Sequence, residues 1–77
     1  MGGIIEIEDI ANNIAVHLRD SEVDLLEASS FLQEAISTYL DIAVSSDQAQ
    51  KVFNFLRKKH RVRMPELGDR NGKVKFI

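Results

Sequence analysis

The stretch SEVDLLEASSFLQEAISTYLDIAVS, residues 21–45, contains neither Gly nor Pro, so no residue within it interrupts a helix. Ser21 and Asp24 have the spacing of a capping box, in which a hydroxyl and an acidic side chain three residues later each accept from the other residue's backbone N–H. Both features favour a helix. We therefore predict one long helix over residues 21–45, which is the centre of the predicted fold.

The apolar side chains of this predicted helix cover more than half of its circumference. At about 100° per residue they occupy an arc of roughly 220°, whereas an ordinary surface helix has an apolar stripe of ~100°. Such a helix needs cover on two sides, either from both neighbouring helices or from a second copy of the chain. We therefore predict a homodimer through the central helix. The predicted core or interface positions are Leu25, Leu32, Ile36, Tyr39 and Ile42.

Shorter helices are predicted on both sides of the central one. Before it, apolar residues recur at helical spacing, which predicts an amphipathic helix over about residues 9–20. After it, Ser45 and Gln48 form a second candidate capping box and predict a third helix over about residues 47–59. The predicted buried stripe of the third helix consists of Ala49, Val52, Phe53 and Leu56.

Beyond the third helix, the apolar period changes from helical to two-fold. Residues 61–64 and residues 73–76 both alternate basic with apolar side chains, as half-buried strands do. Between them, Asn71-Gly72 is a strong turn signal because both residues tolerate positive φ. We therefore predict a short C-terminal β-hairpin.

A competing pairing joins the two ends of the chain. Residues 4–8 include a short alternating pattern that also suits a strand. If they paired with residues 73–77, the lysines of the last strand would lie opposite Glu6 and Glu8, which is a favourable cross-strand match. This alternative predicts a terminal β-ribbon.

The net charge of −2 conceals a strong asymmetry between the two halves of the chain. Residues 1–50 carry ten acidic residues and one basic residue, a net charge of −9, whereas residues 51–77 carry nine basic and two acidic residues, a net charge of +7. Such asymmetry indicates an interaction surface, unless the halves neutralise each other within the fold. On the predicted central helix, Glu27, Glu34 and Asp41 recur every seven residues and form either a charged interface or a solvated face.

The residues that catalysis and metal binding require are scarce. The chain has no Cys, so it contains neither a disulfide nor a thiolate metal site. His17 and His60 have no ligand-spaced neighbours, and there is no Gly-rich phosphate loop. We therefore expect neither an enzyme nor a bound cofactor or metal. No apolar run approaches the ~18 residues of a membrane span, and we expect a cytoplasmic protein.

A basic segment follows the third helix. Residues 57–63, RKKHRVR, contain five Lys or Arg residues, and such side chains contact phosphates, which dominate non-specific affinity for nucleic acids. The outer face of the third helix adds amide and basic side chains of the kind that read base edges in a major groove. The candidate nucleic-acid-binding residues are Gln50, Lys51, Asn54, Arg57, Lys58, Lys59, Arg61, Arg63 and Arg70.

The order of three helices and then a turn-rich hairpin, with Arg70 in the turn, resembles that of a winged-helix domain. The resemblance is architectural, covers most of the chain and includes no family motif. It implies an α+β fold in which the third helix reads DNA and the hairpin touches the backbone of the nucleic acid.

Together these patterns predict one domain over residues 1–77. Its predicted fold is mainly α, with three helices, a long central helix and a short C-terminal β-hairpin or terminal β-ribbon; a winged-helix-like α+β fold is the alternative. The predicted function is a non-enzymatic protein-interaction or regulatory module that acts as a homodimer through the central helix. The alternative function is a DNA- or RNA-binding regulator that uses the helix over residues 47–59 and the basic segment, residues 57–63.

Overall fold

Three α-helices and three short strands form an α+β domain in the computed structural model, which describes residues 6–66 and 72–77. In chain order the elements are α1 (Ile7–Leu18), β1 (Glu22–Asp24), a 3-10 turn (Leu25–Glu27), α2 (Ala28–Tyr39), α3 (Ser46–Lys58), β2 (Val62–Arg63) and β3 (Lys73–Phe76). The mainly α prediction is therefore confirmed for the number of helices but omits one strand of the sheet. A single buried cluster joins the helices to the sheet and includes Leu18, Leu32, Leu56, Val62, Val74 and Phe76.

The first and third helices begin and end close to their predicted bounds. In α3, hydrogen bonds at both ends of the helix explain these bounds. Ser45 Oγ accepts from the Gln48 backbone N–H at 3.2 Å and the Gln48 side chain accepts from the Ser45 N–H at 2.9 Å, so the predicted capping box is complete. At the other end, His60 adopts a left-handed φ of 59°. The Arg61 N–H donates to the Leu56 carbonyl at 2.9 Å, as in a Schellman motif. The predicted stripe of Ala49, Val52, Phe53 and Leu56 is buried.

The prediction of a single helix over residues 21–45 is wrong. Its first part is strand β1, a 3-10 turn follows, and only Ala28–Tyr39 are α-helical. The predicted capping box does not form, because the Ser21 carbonyl accepts from the Phe76 N–H at 2.9 Å and Asp24 is extended and paired with β3. The helix α2 therefore begins without a side-chain cap.

This helix also ends earlier than predicted. Asp41, just beyond it, takes a left-handed φ of 54°, a conformation that Asp tolerates better than most residues. Beyond it, Ile42 is half-buried and Val44 is buried, while Ala43 between them is exposed, which is the period of an extended segment. Gln33 Nε2 holds this segment by donating to the Val44 carbonyl at 2.9 Å. The wide apolar arc therefore results from applying a helical period to residues that are extended.

The antiparallel sheet has the strand order β1-β3-β2, so β3 is its central strand. The strands of the predicted hairpin are confirmed, because Val62 pairs with Phe76 and Arg63 pairs with Lys75. The predicted turn residue Asn71 lies outside the described residues. The sheet therefore closes one side of the core with the two buried side chains of β3, Val74 and Phe76.

The competing ribbon with residues 4–8 is wrong, since that segment leads into α1 and its first two residues lie outside the described part of the chain. The second neighbour of β3 is β1, where Glu22 lies opposite Lys75 and Asp24 lies opposite Lys73. The predicted match of lysines with acidic residues across two strands therefore exists, but a different acidic segment supplies it.

Candidate nucleic-acid interface

The outer face of α3 carries five of the predicted nucleic-acid-binding side chains. The opposite stripe of the helix is buried in the core, so the intervening positions face solvent. The five residues, all exposed, are Gln50, Lys51, Asn54, Arg57 and Lys58. This face therefore presents two amides and three cations along ~12 Å of helix.

A hydrogen-bonded pair of amides occupies the first half of this face. Gln50 Nε2 donates to Asn54 Oδ1, one turn further along, at 3.3 Å. Gln50 Oε1 accepts from Ser29 Oγ, which belongs to α2. These bonds hold the two amides in one arrangement and tie α3 to the start of α2. Sequence reasoning missed Ser29, because 21 residues separate it from Gln50 and no local pattern connects them.

The basic segment, residues 57–63, continues from the last turn of α3 through His60 into β2. The left-handed backbone at His60 ends the helix, and the chain continues through Arg61 into β2, which includes Arg63. Lys59, Arg61 and Arg63 are all exposed. His60, between them, is exposed too. The remaining predicted residue, Arg70, lies outside the described residues.

Two cations of this surface rest on aromatic rings. The Arg57 guanidinium lies 5.9 Å from the centroid of the Phe53 ring, and Lys59 Nζ lies 5.6 Å from that of Phe55. Ring contacts of this kind orient a cation without neutralising it. The positive charge at the end of α3 therefore remains available to an anionic partner.

The acidic half of the chain does not pair with the basic segment in the described residues. The salt bridge found there joins Lys73 Nζ to Asp24 Oδ1 at 2.9 Å, across β3 and β1, and both side chains are about half exposed. The hydrogen bond that Asp24 accepts, and its negative charge, raise the pKa of Lys73 above the ordinary lysine value. Within residues 6–66 and 72–77, none of the Lys or Arg residues between positions 57 and 63 makes an ion pair.

The residues predicted for a dimer interface are divided between the core and the surface. Leu32 and Ile36 are fully buried in the core of a single chain, so neither can reach a second copy in this fold. Leu25 is 41% exposed and Tyr39 is 54% exposed, whereas Ile42 is half-buried. The Tyr39 ring stacks on the His17 ring, with centroids 4.8 Å apart.

The described part of the chain holds no group of three or more His, Asp or Glu side chains arranged to bind a metal ion. Across residues 6–66 and 72–77, no helix combines the length and the apolar character needed to cross a membrane. Comparison with protein-family models, curated proteins and solved structures found no match to this chain.

Proposed function

We propose that this chain is a non-enzymatic regulator that binds duplex DNA in a winged-helix-like manner, with α3 in the major groove and β2 beside the phosphate backbone. The order of three helices followed by a two-stranded ribbon supports this arrangement. The observation that carries the proposal is the outer face of α3, where exposed amides and cations lie side by side. None of these cations forms an ion pair with an acidic side chain among the described residues.

The side chains of this face match the groups that a major groove presents. Asn and Gln amides pair with adenine, and Arg or Lys pairs with guanine or with phosphates. The amide of Gln50 lies about two turns, and that of Asn54 about one turn, before the cations Arg57 and Lys58. One side of the helix therefore offers both kinds of contact. B-form DNA is the favoured duplex, because the deep and narrow major groove of A-form RNA does not admit side chains in this way.

The charge distribution supports one orientation on the duplex. The exposed acidic residues of α2 and its flanks, Glu27, Glu34 and Asp41, would be repelled by phosphates, whereas the basic segment would be attracted. Because the net charge is −2, affinity depends on this local contact and not on a general positive field. We therefore expect steep weakening of the complex by salt.

A titration of labelled duplex DNA by fluorescence anisotropy tests the proposal at about 50 and about 200 mM salt. Five phosphate contacts would give a slope of about −4.5 for the logarithm of affinity against the logarithm of salt concentration, since each contact contributes about −0.9. Absence of binding at the lower salt concentration would contradict the proposal. Tighter binding of duplex RNA of the same sequence would contradict the placement of α3 in a major groove.

A matched pair of variants locates the contact. Arg61→Gln removes a cation from the basic segment, and Arg19→Gln removes the same kind of exposed cation from the end of α1. Arg61→Gln should weaken binding at every DNA sequence and make the salt slope less negative by about 1. Arg19→Gln should leave both quantities unchanged, and an equal loss from both variants would exclude a localised contact.

The second candidate function is a protein-interaction module that acts as a homodimer. The observation that favours it is the exposure of large apolar side chains around α2, above all Leu26, which is 95% exposed, and Tyr39. The proposed contact would use Leu25, Tyr39 and Ile42, without Leu32 or Ile36. A monomer mass by light scattering at micromolar concentrations would exclude this candidate, and a dimer mass that Tyr39→Ser reduces would support it.

A further inference from the structure

We propose that the exposed side of α2 is a docking groove for a basic, extended peptide segment of a partner protein. This groove lies on a different helix from the DNA-binding face proposed above and does not depend on it. Three adjoining depressions form it, and Glu34 lines all of them. Each depression has a volume of 300–370 Å³, at the low end of the range for ligand pockets, and each is open to solvent. Such depressions suit single side chains of a peptide better than an enclosed small molecule.

The floor of the groove is apolar. Phe31 is half-buried and lines the two depressions that flank β1 and the end of α1. Its ring lies 5.9 Å from that of Phe76, so the core of the sheet supports it from below. Val23 of β1 lines one depression and Ala35 lines the next. An apolar side chain of a peptide would therefore bury its surface against Phe31.

The rim of the groove is acidic. Glu27 and Glu34 both line it and both are exposed, and no Lys, Arg or His occurs among the described residues that line the three depressions. Glu27 is the N-cap residue of α2 and Glu34 lies seven residues further along the chain, within α2, a separation of ~10 Å along the helix axis. Charge complementarity therefore selects an occupant with two cations at that separation and an apolar side chain between them.

The neighbouring strand favours an extended occupant. Among the described strands β1 is at the edge of the sheet, because β3 is its only neighbour in the order β1-β3-β2, and edge strands accept extended peptides. In an extended chain, side chains alternate between two faces, so positions i, i+2 and i+4 face the same way and span ~13 Å, and flexible lysine side chains at the two ends can reach carboxylates that are ~10 Å apart. The sequence pattern that matches Glu27 and Glu34 is therefore basic, any residue, apolar, any residue, basic.

The test uses the full-length protein and a fluorescein-labelled peptide of repeated Lys-Ser-Leu-Ser units, with binding measured by anisotropy. The double variant Glu27→Gln/Glu34→Gln should weaken binding about tenfold, because it removes two ion pairs. The matched control, Glu6→Gln/Glu8→Gln, removes the same charge from exposed positions at the start of α1 and should have no effect. Thermal unfolding followed by circular dichroism confirms that both double variants remain folded.

Two further peptides separate a groove from a general charge effect. Replacing Leu by Ser in the peptide should weaken binding clearly, because the contact with Phe31 is lost, and replacing Lys by Glu should abolish it. Equal binding of the Leu and Ser peptides would overturn the proposal, as would equal loss from the two double variants. Self-association of the unlabelled protein that blocks the peptide would also overturn it, because the occupant would then be a second copy of this chain.

Discussion

The helices α2 and α3 are nearly equal in length and bury one side each in the same core, but their outer sides differ in charge and in shape. The outer side of α3 is convex, amide-bearing and basic, whereas that of α2 borders an acidic groove with an aromatic floor. Folding depends on the residues of the buried sides, so it does not explain which residues occupy the outer side of either helix. This difference underlies the proposal that one small domain presents two recognition surfaces for partners of opposite charge.

The largest expected effect is the loss of unfolding free energy when a buried leucine of either helix is truncated. Comparing the two losses tests whether the helices contribute equally to the core. Leu32 of α2 and Leu56 of α3 are both fully buried, and truncation of either to Ala should cost about 2–5 kcal/mol of unfolding free energy because each leaves a cavity. Chemical denaturation of the two variants measures this cost. Ser37→Ala and Lys51→Ala, exposed positions on the same helices, serve as controls and should change stability by less than about 0.5 kcal/mol. A large loss from one leucine only would show that the helices are not equivalent.

A smaller loss of stability is expected from removing the N-terminal cap of a helix. It tests the difference between α3, which begins with a capping box, and α2, which has no side-chain cap. Ser45→Ala removes the capping box of α3 and should cost about 1 kcal/mol. Glu27→Ala, at the N-cap position of α2, removes no side-chain cap bond and should cost much less. Thermal unfolding of both variants measures the difference. Equal losses would contradict the assignment of a cap to α3 alone.

The smallest effect concerns the ion pair between the strands. Because the pKa of Lys73 is raised in the folded state, its contribution to stability is complete below the ordinary lysine value of about 10.4 and is lost as pH rises through the raised pKa. An NMR titration of the Lys73 side chain should give a midpoint above the ordinary lysine value. In Asp24→Asn the Lys73 midpoint should fall towards the ordinary value; an unchanged midpoint would show that Asp24 is not the cause.

The sequence predicted well those parts of the fold whose signals are local. The helix α3 follows from Ser45, Gln48 and a regular apolar stripe, all within one short segment, and it was predicted within a residue or two. The hairpin strands follow from the alternation of basic with apolar residues. The outer-face residues of α3 were predictable for the same reason, because the buried stripe determines which side is free.

The segment over residues 21–45 was mispredicted because its structure depends on distant residues. Glu22–Asp24 become a strand by pairing with Lys73–Lys75, about 50 residues away, and no local pattern indicates this pairing. The end of α2 depends on the left-handed backbone of Asp41, which composition alone does not predict. The groove beside α2 could not be predicted either, since it exists only because β1 and the end of α1 lie next to the helix.

An NMR titration of isotope-labelled protein with duplex DNA, followed at every backbone amide, distinguishes the surface of α3 from that of α2. We expect the shifts to concentrate at α3 and β2, with the largest at Lys51, Asn54 and Arg61, while the amides of Glu27 and Glu34 remain unchanged. Shifts centred on α2, or spread evenly over both helices, would contradict the assignment of two separate recognition surfaces.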